Sequence, residues 1–403
     1  MQLHLLLLLA LTAGFAAAAP APGRTVIKPR SFKVPRTPNP QARRNGAAAI
    51  AKAYRKFGWG FIGPPHTAAS STNATDENGE VAAIPEDNEA LFLSPVTIGG
   101  QTLNLDFDTG SSDLWVFSTA LDRSDIGRHT AYDPDQSSTF RALDGEEFDI
   151  SYGDGSGASG VVGTDVVDIG GATVTEQAVE LATAVSQSFV EDANADGLVG
   201  LAFSAINTVE PTQQKTFFDN VMADLDQPLF TADLTEDDTG SYEFGVIDES
   251  KFRGDLSLIP VNASNGFWQF DSPAFSVGDQ VVQNPDASPA IADTGTSLLL
   301  VDYMVAETYY SAVEGAQLSQ QLGGFVYPCD TELPDFGVAI GPDYMAMVPG
   351  NQVTFAEAEA GVCFGGVQSN GGAGLQIFGD TMFKTQFVVF NGGDMTLGFA
   401  PKD

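Results

Sequence analysis

Cysteine and histidine are scarce: two Cys and three His in 403 residues. That leaves little for a Cys/His zinc site and few partners for a His-dependent triad. His129 is the only His after residue 75, and no Gly-x-Ser-x-Gly elbow occurs, which argues against a serine hydrolase. Basic residues are few as well: 18 Lys+Arg face 53 Asp+Glu, a formal net charge of −35. Such a surface repels nucleic acid phosphates. Acidic residues are in turn missing from one stretch, since no Asp or Glu precedes Asp76. Long apolar runs are absent after the first twenty residues, so no later segment approaches a membrane span. The C-terminus lacks the hydrophobic tail of a lipid-anchor signal.

What is present is apolar enough to fold. Hydrophobic residues make up 43% of the chain, which excludes a disordered acidic polymer, and the length suffices for two or three cores. Gly and Pro number 43 and 22, and charged residues only 18%, a balance that suits a turn-rich β chain. Residues 3–18 form a short apolar run ending in small residues. It reads as a secretory signal peptide, residues 1–19, cleaved near Ala18 or Ala19. The expected product is secreted, extracellular and soluble. In that compartment Cys329 and Cys363 are expected to pair. Asn262-Ala-Ser264 is a glycosylation candidate, and Asn73-Ala-Thr75 is a second sequon in a segment expected to be removed.

The charge divides the chain. Ten of the 18 basic residues, from Arg24 to Lys56, precede Asp76, so residues 76–403 hold 8 basic against 53 acidic groups, a formal −45. Asymmetry of this size suggests two segments made to interact, although a basic targeting tail would share the composition.

After residue 80, short alternating runs such as Leu103–Phe107, Phe148–Tyr152 and Phe387–Phe390 read as strands. Helical patterning is sparse: Pro211–Leu225 is one amphipathic candidate and Asp302–Val313 a weaker second. The fold class expected is mostly β with a few short helices.

An internal repeat is the most informative feature. Asp108-Thr109-Gly110-Ser111-Ser112 recurs 185 residues later as Asp293-Thr294-Gly295-Thr296-Ser297. Each copy follows an apolar strand and precedes apolar residues. Each is later followed by two apolar residues and a Gly, Leu198-Val199-Gly200 and Ile377-Phe378-Gly379. Two copies of a four-part pattern in one order imply two related lobes, whereas one Asp-Thr-Gly would be an ordinary Asp-rich turn. If the lobes face each other, Asp108 and Asp293 meet. Two carboxyls about 3 Å apart cannot both ionise, so they share a proton. Such a pair can hold a water, deprotonate it and protonate a scissile carbonyl, with no cofactor and no metal. Gly110 and Gly295 permit a tight turn. Thr109 and Thr294 can bond across to the opposite loop. Ser111 and Thr296 can hold the outer carboxylate oxygens.

Phe107–Val116, Tyr152-Gly-Asp-Gly-Ser156, Asp196–Leu201, Asp293–Ser297 and Ile377–Asp380 resemble the pepsin-like aspartic endopeptidases. The single possible disulfide makes the chain most similar to the secreted fungal aspergillopepsin and penicillopepsin group. The resemblance covers roughly residues 88–403. It implies a bilobal β fold with a cleft for an extended peptide, Asp108 and Asp293 being the catalytic pair. It further implies that Tyr152, Gly153 and Asp154 form a flap tip. Phe189 and Leu198 would line the pocket before the scissile bond, and Phe267 would border the pocket after it. Without the resemblance, Tyr152 and Phe189 would read as ordinary packing residues. Asp106 lies two residues before Asp108, on the same strand face. With Asp154 it could accept a Lys ammonium, predicting cleavage after Phe, Leu, Tyr and also Lys. Gly155–Gly160 matches a dinucleotide fingerprint but lacks the following helix, so nucleotide binding is rejected.

The basic segment then reads as a propeptide, residues 20–75, its end falling between 70 and 85. The lobes would be 76–249 and 250–403. Ala48–Phe57 is helix-compatible, and Lys56-Phe57 resembles the family's Lys before an aromatic, whose ammonium sits between the catalytic carboxyls; Lys52-Ala-Tyr54 could compete. The expected partners are peptide substrates and the chain's own propeptide, and the expected state is a monomer. A non-catalytic pepsin-fold binding or inhibitor protein is the alternative. It is disfavoured by the intact Asp-Thr-Gly pair and Tyr152.

Overall fold

The computed structural model describes residues 26–27, 31–38, 44–59, 92–151, 157–191, 195–235 and 240–402. The signal peptide, the Asn73 sequon, the propeptide end and the flap tip Tyr152–Asp154 fall outside the described residues.

The sequence repeat becomes a repeat of topology. Strand Gln101–Asp108 runs parallel to Gly197–Gly200, which pairs antiparallel with Leu114–Phe117. That strand in turn runs parallel to Ala172–Val185. The second half repeats the plan with shorter strands. Ala290–Ala292 runs parallel to Gln376–Phe378, which pairs antiparallel with Leu299–Val301, itself parallel to Val367–Ser369. In each half the Asp loop is therefore threaded past the later apolar-apolar-Gly strand. The crossing leaves no room for a side chain. A Cβ on Gly200 would lie 2.5 Å from Asp113 N, and one on Gly379 2.1 Å from Thr296 O.

The N-terminal half builds one large sheet, in which the long strands Gly157–Ile169 and Ala172–Val185 pair with each other as a ribbon. A six-stranded sheet joins the halves. It takes Leu229–Leu234 and Gly240–Phe244 from the first, and Ser257–Pro260, Gln386–Asn391 and Thr396–Pro401 from the second. Phe230 stacks on Phe390 at 4.6 Å between ring centres, and both are fully buried. Burying each such ring contributes roughly 2–3 kcal/mol.

The outermost strand of this sheet is Phe32–Pro35, from the basic segment, in register with Phe244–Ser241. Its side chains alternate buried and exposed, so Phe32 and Val34 enter the core while Lys33 and Pro35 face out. Phe32 stacks on Phe244 at 4.6 Å. Helix Gly46–Lys56 follows, capped by Asn45, whose side chain accepts from Ala48 N at 3.2 Å. Arg55 and Lys56 occupy its last turn, where cations suit the helix dipole. Ala49, Ile50, Ala53 and Tyr54 form one buried stripe against Ile291, Leu298, Leu300, Val326, Phe364 and Ile377 of the second half.

Two helix expectations meet the structure differently. Asp302–Val313 contains helix Tyr303–Ser311. Pro211–Leu225 is helical only over Phe217–Val221, extended by a 3-10 turn Met222–Asp224. Thr216 is the true cap, accepting from Asp219 N at 3.1 Å, and the helix starts at Phe217 instead of Pro211. Cys329 and Cys363 are disulfide-bonded across neighbouring strands, 34 residues apart. In the chain-entropy account a loop of this length stabilises by roughly 3–4 kcal/mol.

Candidate active site

The two Asp loops meet where the halves join, and they hold each other by a reciprocal set of bonds. Thr109 Oγ1 donates to Ala292 O at 2.9 Å, and Thr294 Oγ1 donates to Phe107 O at 2.8 Å. Thr294 N donates to Thr109 Oγ1 at 2.9 Å, and Thr109 N to Thr294 Oγ1 at 3.2 Å. All four are buried, so each is protected from water. The two Thr hydroxyls thus fix the spacing of the loops.

That spacing presses Asp108 and Asp293 together. Asp108 is 2% exposed and Asp293 is fully buried. Their inner oxygens accept from Gly110 N at 2.8 Å and Gly295 N at 3.0 Å. Their outer oxygens accept from Ser111 Oγ at 2.6 Å and Thr296 Oγ1 at 2.5 Å. Each carboxyl is thus held by one backbone N–H and one hydroxyl. A Cβ at residue 110 would lie 2.5 Å from Asp293 Oδ1, and one at residue 295 would lie 2.4 Å from Asp108 Oδ1. Only glycine lets each loop approach the opposite acid.

Lys56 closes the gap. Its Nζ donates to Asp108 Oδ1 at 2.6 Å and to Asp293 Oδ1 and Oδ2 at 2.8 and 2.9 Å. The titration of the acids splits. Burial pushes both upward, but the Lys56 charge, with bonds from Asp293, Lys56 and Ser111, holds Asp108 below its ordinary value. Asp293 is pushed up to about 6 by burial, against the Lys56 charge and with the Asp108 charge. Burial alone would lower Lys56, yet the two carboxyls raise it, so the ammonium stays charged. The Lys56 ammonium thus lies between one acid held low and one held high.

Asp106 lies beside this cluster and is buried. Burial pushes its carboxyl up to about 7, with Lys52 and Arg36 opposing and Asp108 adding to the rise. Lys52 thus faces Asp106, one helical turn before Lys56. Arg36 is 4% exposed, sits over the Tyr242 ring at 5.6 Å and approaches Asp380 at 4.0 Å. Neither Arg36 nor Lys52 was singled out as a partner of Asp106 from sequence. The alternation of Phe32-Lys-Val-Pro35 was the available sign that a strand would carry Arg36 inward.

The aromatic candidates fall into two groups. Phe189, on the short helix Gln187–Glu191, packs edge-on to Trp115 at 5.0 Å, in one cluster with Leu198 and Phe148. Phe267 belongs instead to the cluster around the basic helix, 6.1 Å from the Phe57 ring. Tyr152, Gly153 and Asp154 cannot be placed against these groups, being outside the described residues. Asn262 is exposed at a 3-10 turn, where its side chain accepts from Ser264 N at 3.1 Å.

Comparison with known proteins adds independent findings. Residues 91–402 match the family of eukaryotic aspartyl proteases. Penicillopepsin-1 of Penicillium rubens is 48% identical over 361 residues, covering 88% of this chain and 87% of that protein. Aspergillopepsin-1 of Aspergillus fumigatus is 45% identical over 383 residues, 94% of each chain. Aspartic protease PEP3 of Coccidioides posadasii is 46% identical over 397 residues, 93% of this chain and 89% of that protein.

Proposed function

Because this chain belongs to the eukaryotic aspartyl proteases and is an aspartic endopeptidase, we propose that Asp108 and Asp293 are its catalytic pair. Peptide hydrolysis then runs on one shared proton. A water between the carboxyls gives its proton to the ionised member as its oxygen attacks the scissile carbonyl. The protonated member gives its proton to the carbonyl oxygen, yielding a gem-diol. Collapse of the gem-diol transfers a proton to the leaving nitrogen. Asp108, held below its ordinary value while Lys56 is docked, is given the ionised role. Asp293, with the raised pKa, suits the acid. The observation that carries this reading is the reciprocal Thr109–Thr294 bonding, which holds both carboxyls on one cation.

The same cation supports a zymogen. Lys56 Nζ stands where the attacking water belongs, and helix Gly46–Lys56 lies across the second half. The basic segment is a propeptide that keeps the enzyme latent at neutral pH. The latch opens in acid. Asp108 has a depressed pKa while docked, so its contribution is present above the ordinary Asp value and is lost as pH falls through the lowered one. Opening therefore needs stronger acid than ordinary carboxylates would suggest. Lys33 pairs with Glu243 at 3.4 Å, which helps to hold the propeptide strand. The apolar run at 3–18 supports secretion, and the freed enzyme acts outside the cell.

Phe189, Leu198 and Trp115 form the apolar wall expected before the scissile bond, and Phe267 the wall after it. Substrates carry large apolar residues there. Asp106, whose docked neighbours include Lys52, accepts a hydrogen bond from a substrate Lys through the carbonyl oxygen of its carboxyl, which is protonated in acid. The experiment is cleavage mapping of a denatured protein at pH 3.5 by the acid-activated chain. Cuts after Phe, Leu, Tyr and Lys are expected. Cleavage confined to small or acidic residues would overturn the pocket assignment.

A further inference from the structure

Behind the Asp108 loop lies a second pair of acids that the reaction does not use. We propose that Asp113 and Glu180 share one proton and so clamp the catalytic loop to the segment behind it, making the loop's position depend on that proton. Asp113 is the last residue of the loop and is 3% exposed; Glu180, on strand Ala172–Val185, is 1% exposed. Trp115 is in register with Glu180, which brings the two carboxyls to the same place.

One amide ties them together. Asn207 Nδ2 donates to Asp113 Oδ1 at 3.0 Å, to Glu180 Oε1 at 2.9 Å and to Ser112 O at 3.2 Å. Its own Oδ1 accepts from Gln214 N at 2.8 Å and Val209 N at 3.2 Å. Thr208 adds its N–H at 2.8 Å and its hydroxyl at 2.9 Å to Asp113 Oδ1. Glu180 Oε2, however, is buried and meets no N–H or O–H donor. The two carboxyls lie within hydrogen-bonding reach of each other. Carboxylates only accept, so a bond between them requires a proton on one. Among the described residues neither acid takes part in an ion pair, so no cation there relieves the charge.

The charged groups facing the pair are few. From the loop, Asp108 acts on Asp113 at longer range. From strand Ala172–Val185 comes Glu180 itself, and the 207–214 segment offers the neutral Asn207 and Thr208. Burial and the Asp113 charge push Glu180 well above the ordinary carboxyl range. Burial raises Asp113 too, with the Thr208 bonds opposing. A group raised in the folded state stabilises fully below its unfolded value, and that stability is lost as pH rises towards the folded one. Two charges here would repel inside a buried site and push the loop from Asn207. Asp108 would move with it, because Leu201 N, Gly200 N and Ala202 N bond the carbonyls of Asp108, Asp113 and Ser111 at 2.7–2.8 Å. Asp113 and Glu180 are therefore positioning residues whose proton keeps the site built in acid.

Glu180→Gln and Asp113→Asn test this, since each keeps the shape and supplies an N–H in place of the shared proton. Full-length chains carrying Asp293→Asn, to prevent self-digestion, are unfolded in urea from pH 4 to 8. Above the ordinary Glu range, the unfolding constant of the Glu180 chain is expected to rise about tenfold per pH unit relative to Glu180→Gln, one proton's worth. In otherwise unaltered chains activated in acid, Glu180→Gln should keep kcat/KM within about twofold at pH 3.5. It should also hold activity to higher pH on the neutral limb. Stability curves that stay parallel from pH 5 to 8 overturn the proposal. So does lowered activity at every pH with an unmoved neutral limb, the mark of mere structural damage. If Glu180→Gln does not fold, Asp113→Asn carries the same two expectations.

Discussion

Lys56→Met removes the ammonium at the centre of the latch and leaves most of its apolar stem. The lost contacts are three short charge-assisted bonds, at 2.6, 2.8 and 2.9 Å, from a side chain only 9% exposed. Removing one partner of a buried ion pair costs about 3–5 kcal/mol. The lower end applies here, because the remaining acids can share a proton and so avoid two bare charges. About 3 kcal/mol corresponds to about a hundredfold more of the open form. The apolar stripe of Ile50, Ala53 and Tyr54 is untouched, so the helix still docks at neutral pH. The assay is full-length protein purified at pH 7, moved to pH 5 and followed by loss of the intact chain and by hydrolysis of a fluorogenic peptide. Lys56→Met should self-process roughly a hundredfold faster at pH 5, at a rate independent of dilution if the first cut is intramolecular. It should also begin to activate at a higher pH. A processing rate within twofold of the parent, in a variant with unaltered circular dichroism, would refute the reasoning.

Other consequences follow from single contacts. Ser111→Ala deletes a 2.6 Å bond that favours ionised Asp108, so the acid limb of the pH–rate profile should move to higher pH and activity at pH 3 fall about tenfold, by the worth of one charged bond; an unmoved limb would contradict the role given to Asp108. Gly200→Ala would place a Cβ 2.5 Å from Asp113 N, where only backbone could yield, and should lower unfolding free energy in urea by about 3 kcal/mol or prevent folding; ordinary stability would mean that the strand crossing is looser than described. Asp154→Ala and Asp106→Asn should each reduce cleavage after Lys relative to Phe, and equal loss of all cleavages would remove the Lys-accepting role. Asp106, Asp113, Glu180 and Asp196 all have raised pKa values with burial as the main cause, so each contributes stability that is present in acid and lost as pH rises. The melting temperature of the processed enzyme should therefore be lower at pH 7 than at pH 4, and the reverse order would contradict this.

The meeting of the two Asp loops was legible in the sequence because Asp-Thr-Gly, a hydroxyl residue and Ser occur twice, in the same order. The strand-like approaches, the two glycines and the later apolar-apolar-Gly elements each have a geometric reason in the structure. Fold class was equally legible, since alternating apolar runs and turn residues fill the chain after residue 80. Less was visible where long-range packing decides. Pro211–Leu225 has a helical period, but Thr216 captures the cap and the preceding residues go into turns. The strand Phe32–Pro35 was hidden because four alternating residues are weak evidence without their partner, Gly240–Phe244, more than two hundred positions away. Asp113 and Glu180 were invisible for the same reason. Each reads as a solvated acid until the sheet places 67 residues of separation in one register with Trp115.

The account stands most directly on the claim that Asp108 and Asp293 work as one pair. The measurement is peptide hydrolysis at pH 3.5 by acid-treated chain, by Asp293→Asn and by Asp108→Asn, with processing supplied in trans by a small amount of active enzyme that is then removed. Hydrolysis blocked by a statine-type transition-state mimic, and lost by a thousandfold or more in each variant, is what two carboxyls sharing one proton predict. Either variant hydrolysing the peptide at a rate near that of the parent would contradict it.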